Sequence, residues 1–350
     1  MKILRCMGVL GIFLLVSCAA RHPVNPKAAI HQQRGSQLIA ADQLDHAEAE
    51  LALALEFNPH YPEALNGLGL VAYRRGDLER AAQYFRDALI QNDDLAEAHN
   101  NLGVILLAWQ DWEAAKQSFL SSLAIDPGYV NARYNLVLAL LKLGELDAGR
   151  FELLKAISIA PKFADAHAEL GCLLVFLDQR AAAERSIQKA LALNPTLAAA
   201  HRCHGFLLLK GGDAAEAEKS LRRALAKDPS DPEVHHLLAQ ALAELGHLSE
   251  AENEARALTH RAPKFAPAHF VLGFIVVRQG REEAGCQHFH DALKLYPSYA
   301  AAHLELGDSY GRRGKKDKAR VHYQAFLKRV PVALKDQQGR VETWLKKNAK

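Results

Sequence analysis

The chain has 350 residues, 49% of them apolar and 24% charged, a composition that excludes a disordered or fibrous polymer and allows about one to three domains with a large core. Its formal charge is +3, and loss of the first 17 residues with Lys2 and Arg5 takes it to about +1, so no general pull toward nucleic acid or an anionic surface exists. The first element, residues 1–17, has a basic start and an apolar run from Met7 to Val16. That run is about half of the ~20 helical residues needed to cross a bilayer, which predicts a cleaved signal peptide and not a membrane anchor.

The run ends in Leu15, Val16, Ser17 and Cys18, which resembles the lipobox of bacterial lipoproteins. The resemblance implies that Cys18 is lipidated and becomes the mature N-terminus. Ala19 in place of Asp implies sorting to the outer membrane, with the protein on its periplasmic face. Residues 18–27, with Pro23 and Pro26, are expected to form a short semi-extended tether. Of the five cysteines, Cys172, Cys203 and Cys286 then remain. Small apolar fillers are the favoured reading of all three, and a Cys172–Cys203 bridge between neighbouring repeats is the alternative.

From Ala28 onward the sequence repeats every 34 residues. A glycine recurs at Gly69, Gly103, Gly171, Gly205, Gly273 and Gly307, and a small residue follows twelve positions later, as at Ala81, Ala115 and Ala183. A bulky residue stands at Phe85, Phe119, Ile187, Leu221, Phe289 and Tyr323, and a proline closes all but one unit, from Pro59 to Pro331. Each unit holds two amphipathic runs broken by a polar turn such as RRGD at 74–77, which predicts two antiparallel helices. The pattern resembles the tetratricopeptide repeat family, with nine repeats over residues 28–333. The resemblance implies an all-α solenoid, a right-handed superhelix with an inner groove. Residues 334–350 carry Leu334, Val341, Trp344 and Leu345 on one helical face and are expected to cap it.

Repeats leave no segment for a separate catalytic domain, and the chain has no phosphate-cradling loop, H-E-x-x-H or paired C-x-x-C. No catalytic residue, cofactor or metal is assigned, and the protein is not expected to be an enzyme. Histidine stands at the fourth position of seven repeats: His31, His99, His167, His201, His235, His269 and His303. This position shares the face of the repeat's leucine and glycine, so each ring is expected to lie against the second helix with a polar edge toward solvent or a backbone carbonyl. Rings one helix-packing distance apart, about 8–10 Å, do not chelate as a ladder. A metal-binding or enzymatic alternative rests on His201 and His204, three apart on one helix.

The inner groove is read at Asn66, Tyr73, Asn100, Asn101, Tyr134, Asn135, Phe176, Phe206, Phe270 and Phe274, polar in the early repeats and apolar from the fourth. A recurring apolar stripe marks a protein partner, unless it closes against the neighbouring repeat. Asn101 and Asn135 are similar to the asparagine ladder with which some repeat superhelices hold an extended peptide. The carboxylate clamp of chaperone-binding members is not matched. The basic turn around Arg312, Arg313, Lys315 and Lys316 reads as a solvated edge. A lipobox followed almost wholly by repeats is most similar to the type IV pilus biogenesis lipoproteins that help an outer-membrane secretin multimerise. The expected partner is therefore a secretin or another envelope-complex subunit, with no nucleic acid. A scaffold for polysaccharide export or cell-wall machinery is the alternative.

Overall fold

The computed structural model describes residues 24–331 and 334–348, so Cys18, the signal segment and most of the tether lie outside the described residues. Two compact units divide the chain, Met1–Gln110 and Asp111–Lys350, with the boundary inside the third repeat. All described secondary structure is helical. The first unit holds α1 (Pro26–Ala40), α2 (Leu44–Phe57), α3 (Pro62–Arg74), α4 (Leu78–Gln91) and α5 (Ala96–Ala108). The second begins with α6 (Trp112–Ile125), α7 (Val130–Leu143), α8 (Leu146–Ile159), α9 (Ala164–Phe176), α10 (Arg180–Leu193), α11 (Ala198–Lys210) and α12 (Ala214–Leu225). It continues with α13 (Pro232–Glu244), α14 (Leu248–Arg261), α15 (Ala266–Arg278), α16 (Glu282–Leu295), α17 (Ala300–Arg312), α18 (Lys316–Leu327) and α19 (Lys335–Lys347).

Within each unit odd-numbered helices pair with the following even-numbered ones, as α3 with α4 and α15 with α16, and successive pairs stack. The repeat glycine explains the closeness of a pair. A Cβ on Gly69 of α3 would stand 2.4 Å from the Phe85 ring of α4, and one on Gly205 of α11 would stand 2.6 Å from Leu221 of α12. Phe85 and Leu221 are buried, and so are Phe119, Ile187, Phe289 and Tyr323 at the same place in their repeats. Each such side chain removes on the order of 1.5–3 kcal/mol worth of apolar surface from water.

The turn between the two helices also recurs at the 34-residue step. Gly76, Gly144, Gly212, Gly246, Gly280 and Gly314 all have φ between 69° and 84°, and Asp42, Gln110 and Asp178 adopt the same left-handed conformation without glycine's freedom. An aspartate next to this residue caps the second helix in several repeats: Asp77 accepts from the Arg80 N–H at 3.0 Å and Asp111 from that of Ala114 at 3.2 Å.

The start of the solenoid differs from the expected tether boundary. α1 begins at Pro26, two residues ahead of Ala28, because proline at the first helical position has its φ already set and no N–H to leave unpaired. Asn25 caps it by accepting from the Lys27 N–H at 3.0 Å. At the other end α19 docks through Val341, which is fully buried, and through Trp344, whose ring meets Tyr323 edge-on at 4.8 Å. Arg340 holds Asp308 of α17 with two hydrogen bonds, 2.7 and 2.9 Å long.

Candidate interaction surface

The histidine ladder fixes the joints between repeats. The Nε2 of His99 donates to the Asp93 carbonyl at 2.9 Å, and His167, His201, His235, His269 and His303 donate to the carbonyls of Pro161, Pro195, Pro229, Pro263 and Pro297 at 2.9–3.1 Å. Each acceptor lies six residues upstream, in the turn that ends the preceding repeat. Arg133 takes the place of histidine in repeat four and donates to the Pro127 carbonyl at 2.6 Å. The other ring nitrogen faces the second helix, where His31 meets Glu50 at 2.7 Å and His235 meets Glu254. Where both contacts form, as in His235, the ring is occupied by structure. His201 and His204 bond to separate partners, His201 Nε2 to the Pro195 carbonyl and His204 Nδ1 to Ser220 Oγ at 2.9 Å, and His201 Nδ1 is buried without a hydrogen-bond partner.

In the first unit the inner helices are joined by amides. Asn101 of α5 donates to Asn66 of α3 at 3.0 Å, and Asn100 donates to Asn101 at 3.3 Å. Asn66 and Asn100 are buried, Asn101 is half-buried, and Tyr73, two turns further along α3 from Asn66, is exposed. Asn101, the half-buried amide of the three, donates to one neighbour and accepts from the other, and an amide carries a second donor and a second acceptor site.

In the second unit the inner helices are joined by charge, which the sequence reading missed. Arg202 of α11 donates to Glu169 of α9 at 2.6 Å and to Glu233 of α13 at 3.1 Å, spanning three successive repeats. Lys142 at the end of α7 comes within 3.5 Å of Glu233, so first helices three repeats apart meet across this face. Burial raises the Glu169 pKa against the pull of Arg202; burial also works against the Arg202 charge, but Glu169 and Glu233 outweigh it and raise its pKa. Tyr134 lies half-buried beside them, its phenol pushed up by burial, with its ring edge-on to Phe163 at 5.3 Å.

Packing within the unit takes up much of the apolar stripe. Phe270 packs on Phe289 at 5.6 Å and on Tyr299 at 5.1 Å, and Phe274 sits against the core with the Arg278 guanidinium over its ring. Phe206 packs into the cluster around Ile187 and Leu207, and Asn135 is half-buried. Phe176, 41% exposed, is the large apolar groove residue of this unit that remains open.

The favoured reading of Cys172 and Cys203 is corrected. They form a disulfide between α9 and α11, with their Cα atoms 4.9 Å apart, within the span that a bridge needs. Cys286 is a buried free thiol next to Ser309, as a filler would be. Several titratable groups of the second unit are displaced far from their ordinary range, two histidines and a glutamate among them. Burial pushes His236 down to about 4, and burial with the neighbouring His303 and His290 pushes His322 down to about 4. Burial, reinforced by Asp308, pushes Glu305 up to about 7.

Helix pairs of this geometry define the tetratricopeptide repeat class. A tetratricopeptide repeat profile matches residues 33–96, 168–232 and 287–333, half of the chain by itself, and related profiles match 96–129, 130–163 and 208–270. The chain belongs to the tetratricopeptide repeat family, a scaffold fold for protein–protein interaction. Among curated proteins, Cellulose synthase operon protein C of Komagataeibacter sucrofermentans is 40% identical over 63 residues, 18% of this chain. The match spans only 5% of that protein's length. Among solved structures, Pseudomonas aeruginosa pilF is similar with a TM-score of 0.53 at 19% identity, over 61% of this chain and 97% of that one. A human IFIT1 dimer with PPP-AAAA aligns with a TM-score of 0.64 at 17% identity, over 92% of this chain and 83% of that one. These structural likenesses describe the fold.

Proposed function

We propose that this protein is a lipid-anchored scaffold on the periplasmic face of the outer membrane that binds a protein partner and helps it assemble into an envelope complex, with a type IV pilus secretin as the first candidate. The observation that carries the envelope reading is the Cys172–Cys203 disulfide, which belongs to chains that mature in an oxidising compartment. It agrees with the signal-like residues 1–17 and with Cys18 at the end of the apolar run. The fold shared with pilF supports a repeat scaffold of this kind. The asparagine-lined face of the first unit, with Tyr73, and the open Phe176 of the second are the contact points we assign to the partner.

A second reading, service to polysaccharide export, is favoured by the 40% identity to Cellulose synthase operon protein C over 63 residues. Both readings are tested by cross-linking from outer membranes of cells carrying the chain with Asn101→Ala plus Tyr73→Ala or the native residues. A secretin subunit cross-linked to the native chain and lost from the variant supports the first reading. Export-machine subunits in its place support the second. Cys18→Ala should abolish incorporation of a fatty-acid analogue, and label retained in that variant refutes the anchor.

A further inference from the structure

The repeat brings its fourth residue, on the first helix, opposite its twenty-third, on the second. This slot is seen as His31 with Glu50 at 2.7 Å, Arg133 with Glu152, His235 with Glu254, and His303 Nδ1 with His322 Nδ1 at 3.0 Å. In repeat eight the same two positions hold His269 on α15 and His288 on α16, and one helical turn beyond His288 stands Asp291. One donor atom from each of the three lies within 4.8 Å of the others, a grouping found nowhere else among the described residues.

The surroundings of the trio suit a cation. His269 Nε2 donates to the Pro263 carbonyl at 3.1 Å, so the ring keeps its proton there and presents Nδ1 as a lone pair. A carbonyl on the far nitrogen is the support by which metal-binding histidines are oriented. Asp291 Oδ1 accepts from Lys294 at 2.7 Å and from Gln287 at 3.2 Å, which fixes the carboxylate and leaves Oδ2 for a ligand. All three side chains are half-buried, screened from bulk solvent yet reachable. Tetrahedral ligands about 2.0–2.1 Å from zinc are roughly 3.3 Å from one another, so the trio must close by about 1–1.5 Å, within the reach of side-chain rotation. Two imidazoles and a carboxylate match a borderline divalent ion, with a fourth position for water.

We propose that His269, His288 and Asp291 form a divalent transition-metal site, zinc by the chemistry of its donors, that staples the two helices of repeat eight and, through Pro263, its joint with repeat seven. The site stands independently of the partner-binding reading. Repeat nine supplies the internal contrast: it has the same histidine pair, His303 and His322, but Ala325 where repeat eight has Asp291.

The test uses the full chain purified without a histidine tag, stripped with chelator, and titrated with Co2+ and then Zn2+. One ion per chain is expected, with the visible absorption of tetrahedral cobalt bleached by zinc. His288→Ala and Asp291→Asn should each weaken the affinity more than about tenfold with helical circular dichroism unchanged, while His322→Ala should bind as the native chain does. Asp291→Asn is nearly isosteric at a half-buried position and keeps the fold. Absence of stoichiometric uptake, unchanged affinity in either of the first two variants, or loss in His322→Ala would overturn the site.

Discussion

The two units are built from the same repeat but tie their inner helices together by opposite means. The first uses neutral amides, Asn66, Asn100 and Asn101, and the second uses a buried guanidinium between two carboxylates together with a disulfide. The amide face can lose a bond to a neighbour without stranding a charge. The charged face cannot, because Glu169 is 8% exposed and would be left as an uncompensated buried anion. One repeat architecture thus yields an adaptable surface and a braced one.

The contrast is open to attack from several sides. Arg202→Met should destabilise the second unit by about 3–5 kcal/mol, measured by urea unfolding, since it breaks a buried pair from one side only. Replacing both cysteines with alanine should cost that unit about 3.6 kcal/mol, as expected for a loop of about 30 residues, and leave the unfolding of the first unit unchanged. A disulfide without effect on the denaturation midpoint would show that the brace is redundant.

pH separates the units further. Glu305 holds its proton in the folded state up to about pH 7 and ionises at its ordinary pKa when unfolded, so stability falls as pH rises through that window. Glu305→Gln should therefore raise stability by about 3 kcal/mol at pH 8 and by almost nothing at pH 4. His236 and His322 act in the opposite sense: their folded pKa of about 4 lies below the ordinary value, so the stability they confer is present above about pH 6.5 and lost as pH falls toward 4. All three lie in the second unit, and melting curves against pH should show its stability peaking between these limits. The smallest expected effect is in the first unit, where Asn101→Ala should cost about 1 kcal/mol in stability. A loss above about 3 kcal/mol would mean that the amides are as rigid as the charges.

The fold was legible because its signals recur at one interval. Glycine, small residue, bulky residue and proline all repeat at 34 residues, and the polar edge of the histidines falls on the carbonyl that the same interval supplies. What joins one repeat to the next was not legible in this way. Cys172 meets Cys203 at a separation of 31, Arg202 meets Glu169 at 33 and Glu233 at 31, and Asn101 meets Asn66 at 35. Neighbouring first helices touch through non-equivalent positions, so an alignment in register places these partners in different columns. The apolar stripe was expected to meet a partner or to close against its neighbours, and several of its side chains are half-covered. Phe270 and Phe206 share the inward-facing positions but are half-buried, Phe270 against Phe289 and Tyr299 and Phe206 in the cluster around Ile187.

The bond from histidine to the preceding turn gives the solenoid a mechanical character. Each joint with such a bond behaves as a hinge with a pin, so bending or stretching must break a hydrogen bond before neighbouring repeats can pivot. Leu65 stands where the pin would be in repeat two, and a leucine has no donor to offer the turn at Pro59. Under tension that joint is expected to yield before the pinned ones. Amide exchange in the turn at 58–61 should accordingly be faster than at 160–163, and Leu65→His should slow it.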